Sequence, residues 1–129
     1  MFSLKKETDY AIQLLKLVPK DKKHCVSLRD IAGETGVSFL FLQKIARKLR
    51  LAGLIRAAKG VNGGYSLNRP ADKITLKDII VAVEGDCAVL PCYCANNKCK
   101  TSKCILKNKM RKININVSKI FSKTKLTQV

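Results

Sequence analysis

Apolar residues along this chain recur first at helical spacing. Ala11, Ile12, Leu14, Leu15 and Val18 fall on one side of a helix over residues 5–18, which Pro19 and the charged run KDKK bring to an end. Ser27 is placed to cap a second helix in SLRDIAGET, and Gly36 to turn the chain after it. Ser38 is placed to cap a third helix, SFLFLQKIARKLRLAG, ending at Gly53. In this third helix Leu42, Ile45, Ala46 and Leu49 share one face, while Gln43, Lys44, Arg47, Lys48 and Arg50 lie largely on others. One face is built to pack, and the rest is basic.

The period then changes. LIRAA and YSLNRP read as two short strands around the glycine-rich turn KGVNGG. Helix, turn, helix and hairpin make a winged helix, so the expected fold class is mainly α with a small β-hairpin wing. Thr75 can cap a further helix, LKDIIVAVEG, with Leu76, Ile79, Ile80 and Val83 on its buried side. Near the end of the chain Leu106, Met110, Ile113, Val117 and Ile120 step by 4, 3, 4 and 3 residues, the spacing of a helix seam. A long basic helix whose apolar stripe has no evident partner in its own chain is explained by docking against a second subunit. Lying on an anionic membrane surface, or packing on the chain's own core, are the alternatives. The expected organisation is a winged helix-turn-helix domain over residues 1–84, a cysteine-rich loop over 85–104, and a basic dimerisation helix and tail over 105–129.

Charge sharpens this picture. The 129 residues carry 26 Lys and Arg against 9 Asp and Glu, a formal charge of +17, which points to nucleic acid or an acidic membrane surface. Asp86 is the last acidic residue, and ten bases follow it. The capped start of the third helix can enter the DNA major groove, and the wing can reach backbone or minor groove. The candidate DNA contacts are Ser38, Leu40, Phe41, Gln43, Lys44 and Arg47 on that helix, with Lys59 and Asn62 on the wing. Gln43 is the best base reader, because its amide can pair bidentately with adenine; Leu40 can meet a thymine methyl, and Lys44 or Arg47 can take phosphate or guanine.

Five of the six cysteines crowd into Cys87–Cys104, in the positive part of the chain. The start of the sequence has charges inside its apolar stretch and no small-residue cleavage site, and no run approaches the roughly 18 apolar residues of a membrane span. The chain is therefore expected in the cytoplasm, where clustered thiols bind metal or act in redox sensing more often than they form structural disulfides. Cys94, Cys99 and Cys104 repeat with four residues between neighbours, unlike the C-x2-C knuckle favoured by zinc sites, and no His lies nearby. An iron-sulfur cluster is the leading reading, and cationic neighbours would stabilise the thiolates that hold it. A zinc site, a thiol sensor without metal, and a small electron carrier are the rivals, although the last needs neither a reading helix nor a wing. The Cys25–His24 pair lacks a third group to orient the His, and GVNGG lacks the Lys-Ser or Lys-Thr of a phosphate loop. No enzyme active site is expected.

Taken together, LKKETDYAIQLL, IAGETGVSFLFLQKIARKLRLAGLI, KGVNGGYSL, ITLKDIIVAVEG and the three-cysteine run resemble the Rrf family of winged-helix regulators, which includes the iron-sulfur regulators IscR and NsrR. The resemblance covers nearly the whole chain. It implies a homodimeric transcription factor, most often a repressor, with a C-terminal helix that makes the dimer and a cysteine loop that holds a 2Fe-2S or 4Fe-4S cluster. By the same resemblance Cys94, Cys99 and Cys104 are the cluster cysteines, each spacing one residue shorter than in IscR. Where the IscR branch has a His after the last cysteine, this chain has Lys107, a poor ligand when protonated. In NsrR an acidic residue from the first helix of the other subunit completes the site, and TDY places Asp9 at the matching position; Cys92 and Cys87 are the competing fourth ligands.

Overall fold

The computed structural model describes residues 3–88 and 104–129. Helix α1, Lys6–Leu17, buries Ala11, Leu14 and Leu15 and stops before Pro19, which has no backbone N–H with which to continue it. Helix α2, Leu28–Thr35, is capped as its sequence dictates: Ser27 Oγ accepts from the Asp30 amide at 3.1 Å, and Gly36 closes the helix with φ 72°. Helix α3, Phe39–Leu51, buries Leu42, Ile45, Ala46 and Leu49, the four residues whose spacing placed them together. The expected Ser38 cap is corrected by the structure. Ser38 occupies the capping position but is exposed, and its hydroxyl makes no capping bond; its carbonyl starts the helix by accepting from the Leu42 amide at 3.0 Å.

The wing consists of β1, Ile55–Ala58, and β2, Gly64–Leu67, paired antiparallel with Ile55 opposite Leu67 and Ala58 opposite Gly64. On its other edge β2 meets Val26, where Tyr65 and Val26 exchange two backbone hydrogen bonds of 2.8 and 3.0 Å. This close approach requires glycine next door, since a Cβ at Gly64 would run into the Val26 carbonyl. Arg56 ties the base of the hairpin to the loop after α1, donating to the Lys22 carbonyl at 2.7 Å and to Ser66 Oγ at 3.2 Å.

Helix α4, Leu76–Glu84, begins with a reciprocal cap in which Thr75 Oγ1 accepts from the Asp78 amide and Asp78 accepts from the Thr75 amide, at 3.1 and 3.0 Å. Its Ile79, Ile80 and Val83 are buried, and α4 packs against α1 and α3. Burial of each such aliphatic side chain contributes about 1.5–3 kcal/mol. Helix α5, Lys107–Lys123, lies against α4 without burying any of its residues. Of its predicted seam, Met110 and Val117 are half-buried, whereas Leu106, Ile113 and Ile120 are exposed. The chain then turns back to the body. Leu76 donates to the Thr124 carbonyl and Leu126 to the Ile74 carbonyl, each at 2.8 Å, and the Leu126 side chain is buried. Among the described residues no helix is long and apolar enough to cross a membrane.

Candidate nucleic-acid interface and metal centre

Leu40, Gln43, Lys44 and Arg47 are spaced i, i+3, i+4 and i+7, so they form a single stripe on α3, opposite the buried Leu42, Ile45, Ala46 and Leu49. All four stripe residues are exposed, Leu40 to 75%. Ser38 is exposed at the helix start, and Lys59 and Asn62 are exposed on the turn of the wing, on either side of Gly60 and the fully exposed Val61. Phe41 has a different place. It is half-buried against the core, with its ring edge-on to Tyr10 at 5.5 Å between centroids, so it fixes α3 against α1 and does not belong to the exposed stripe.

The stripe is not electrostatically independent of the rest of the body. Glu7 on α1 accepts from Lys44 Nζ at 2.8 Å with one carboxylate oxygen and from Lys48 Nζ at 3.0 Å with the other. Hydrogen bonds from Lys44 first and Lys48 second lower the Glu7 pKa to about 2. Lys48 also donates to the Val83 carbonyl at 3.0 Å, and Glu84 accepts from the Lys5 amide at 3.1 Å and from the buried Thr8 hydroxyl at 2.5 Å. The first turn of α1 thus joins α3 to the end of α4. Arg29 on α2 lies over the Phe39 ring, 4.8 Å from its centroid, and steadies the start of α3. Sequence reasoning missed Glu7, Glu84 and Arg29 in these roles. The partners of Glu7 and Glu84 lie 37 to 79 residues away, and no local spacing rule reaches that far.

Of the expected cluster ligands, Cys94 and Cys99 lie outside the described residues, as does the alternative Cys92. Cys104 is exposed just ahead of α5, where its carbonyl accepts from the Lys107 amide at 3.2 Å. Asp9 is exposed on α1 and accepts from Gln13 Nε2 at 3.2 Å, a single contact with a neutral partner that leaves carboxylate lone pairs available for a metal. Cys87 is half-buried, and burial pushes its thiol up from the ordinary range, with nearby Lys77 acting in the opposite direction. Among the described residues no three His, Cys, Asp or Glu side chains come together in a way that could hold a metal. As donor types, three thiols and one carboxylate would suit iron in a thiolate-ligated cluster. His24 Nδ1 lies 3.1 Å from Asp21 Oδ2 on an exposed loop, and the Asp21 pKa is lowered mainly by the Lys23 amide.

Residues 4–129 match the model of the Rrf2 family, described as an iron-dependent transcriptional regulator. The chain is 40% identical over 70 residues to the regulator IscR of Cereibacter sphaeroides, a match covering 54% of this chain and 45% of that protein. It is 32% identical over 113 residues to the regulator NsrR of Oceanobacillus iheyensis, covering 85% of this chain and 77% of that one. In structure it is similar to CymR, the global cysteine regulator of Bacillus subtilis, with a TM-score of 0.75 and 26% identity over 99% of this chain and 95% of the other. The chain spans about half the length of several curated relatives that it matches, IscR among them. The winged helix, the C-terminal helix and the match across nearly all of the sequence agree, and the chain belongs to the Rrf2 family of transcriptional regulators.

Proposed function

We propose that this regulator binds operator DNA as a homodimer, acts as a repressor, and has its operator affinity set by an iron-sulfur cluster. The observation that carries the DNA reading is the exposed stripe of Leu40, Gln43, Lys44 and Arg47 on α3, beside a basic wing, in a chain of charge +17. In this reading residues 1–84 engage DNA, residues 85–104 hold the cluster, and residues 105–129 join the two subunits. Gln43 and Leu40 read base edges, while Arg47, Lys59 and Asn62 meet phosphates or groove walls. The exposed Ile113 and Ile120 on α5 become the contact between copies, and a two-fold pair of reading helices suits two half-sites.

Cys94, Cys99 and Cys104, with Asp9 contributed by the other copy, would hold the cluster, which when bound supplies a centre able to change its charge or lose a ligand. Asp9 sits two residues beyond Glu7 on α1, and Glu7 grips α3 through Lys44 and Lys48. Engaging Asp9 therefore restrains the helix that holds the reading helix, and releasing it changes the angle between the two reading heads. A coupling of about 1–3 kcal/mol, roughly 5- to 150-fold in affinity, is enough for regulation. Changing Cys99 to Ala is expected to abolish the visible absorption of anaerobically purified protein and to shift operator affinity by at least the lower figure. Unchanged affinity removes the cluster from the mechanism.

A second reading draws support from the likeness to CymR along almost the whole chain. Here the cysteines answer thiol or persulfide chemistry directly and no cluster forms, or zinc holds the loop in place. Protein of this kind is colourless and iron-free after attempted reconstitution yet still shifts duplex DNA.

A further inference from the structure

We propose that Glu7 sets the balance between sequence-specific and non-specific DNA binding, by holding Lys44 of α3 away from the phosphate backbone. The inference rests on the DNA-binding reading above and adds a residue that makes no DNA contact itself. Lys44 shares the exposed stripe with Leu40, Gln43 and Arg47, so an unrestrained ammonium there would lie within reach of phosphate. In the structure that ammonium is committed to one oxygen of Glu7 at 2.8 Å. The other oxygen takes Lys48, whose ammonium is also anchored to the Val83 carbonyl on the body, so the carboxylate is fixed at both oxygens and cannot swing away with Lys44 alone. The side chain of Glu7 is 22% exposed and that of Lys44 57%, which places the acid at the foot of the bridge and the base at its rim.

The consequence follows from the two kinds of contact a reading helix makes. Phosphate contacts release counterions and bind every sequence alike, whereas base contacts discriminate. With 26 basic residues against 9 acidic, this chain carries a strong sequence-independent attraction to phosphate. Committing one acid to a lysine on the reading stripe removes sequence-independent attraction where it would compete with Gln43 and Leu40, and leaves Arg47 as the stripe's cation.

The test uses the full chain and two duplex pools, one random in sequence and one selected for tight binding, titrated between about 50 and 200 mM salt. Glu7→Gln is expected to steepen the fall of log affinity with log salt by about 0.9, for the one lysine, Lys44, that it releases. Affinity for the random duplex should rise more than affinity for the selected one, so that their ratio falls. Lys44→Gln in the otherwise unchanged chain should leave the slope as it was, and in the Glu7→Gln chain should take back about 0.9. A bridge that serves stability alone lowers the melting temperature without moving either slope, and that result overturns the proposal. So does a lower slope for Lys44→Gln alone, a measurement that decides the matter even if Glu7→Gln fails to fold. Duplex binding by the unsubstituted chain with an unmoved Glu7→Gln slope overturns this inference only. No binding by the unsubstituted chain overturns the DNA reading as well.

Discussion

The winged-helix body and α5 make opposite use of similar side chains. In the body, Leu14, Leu15, Ile45, Leu49 and Ile79 are at most 1% exposed, and α1, α3 and α4 cover one another. In α5, a helix of 17 residues, Ile113 and Ile120 stay 46% and 62% exposed and nothing is fully buried. The body satisfies its apolar pattern within the chain. Helix α5 carries a pattern of the same kind and leaves Leu106, Ile113 and Ile120 of it exposed, although the chain just after the helix is held to the body through Leu126 in the core. An apolar row left exposed in this way, on a helix rich in lysine, is the surface that the proposed homodimer would use.

The sharpest way to break the contrast is to cut into the body. Leu49→Ala removes a side chain with no exposed area and is expected to cost about 2–5 kcal/mol, read from the midpoint of denaturant unfolding. Replacing Ile113 and Ile120 by Asp should do the reverse. Helical content is expected to survive while the assembly falls from dimer to monomer in analytical ultracentrifugation, and an unchanged sedimentation coefficient would assign the stripe some other role. Between these extremes, Thr75→Ala breaks the reciprocal cap of α4 and should cost about 1 kcal/mol with the oligomeric state unaltered.

The smallest expected effect is that of pH on Glu7. Its pKa in the folded chain, about 2, lies below the ordinary 4.5, so its contribution to stability is complete above the ordinary value and is lost as pH falls toward 2. Because Lys44 is 57% exposed, solvent screening limits the bridge to on the order of 1 kcal/mol. Glu7→Gln should flatten the acid limb of the stability profile by that amount, and parallel acid limbs for the two proteins would show that the bridge contributes nothing.

Elements that announce themselves within a turn of helix were legible in the sequence. The Ser27 cap, Gly36, the Thr75 cap and the period of Leu42, Ile45, Ala46 and Leu49 are local signals, and each has its expected structural counterpart. Ser38 carried the same signal as Ser27 without the same outcome, because residue type offers a cap but backbone geometry decides whether the hydroxyl reaches an amide. Phe41 was assigned to the DNA surface by its neighbours in the sequence, and only the position of Tyr10, 31 residues earlier, shows that it packs. Leu126 was read as tail because a single apolar residue after a basic helix has no period to reveal that it is buried. The Glu7 bridge and the Val26–Tyr65 pairing depend on tertiary proximity and were invisible for the same reason. For the proposed cluster the cysteine spacing is legible in the sequence, while Cys94 and Cys99 lie outside the described residues.

The central claim is that a cluster on the cysteine segment controls DNA binding. It is tested most directly by measuring the affinity of one anaerobically purified preparation for its selected duplex before and after the iron is removed, at fixed salt. The account predicts brown protein whose affinity changes at least fivefold on losing its iron, corresponding to about 1 kcal/mol of coupling. Equal affinity in the two states, or a preparation that never contains iron, would contradict it.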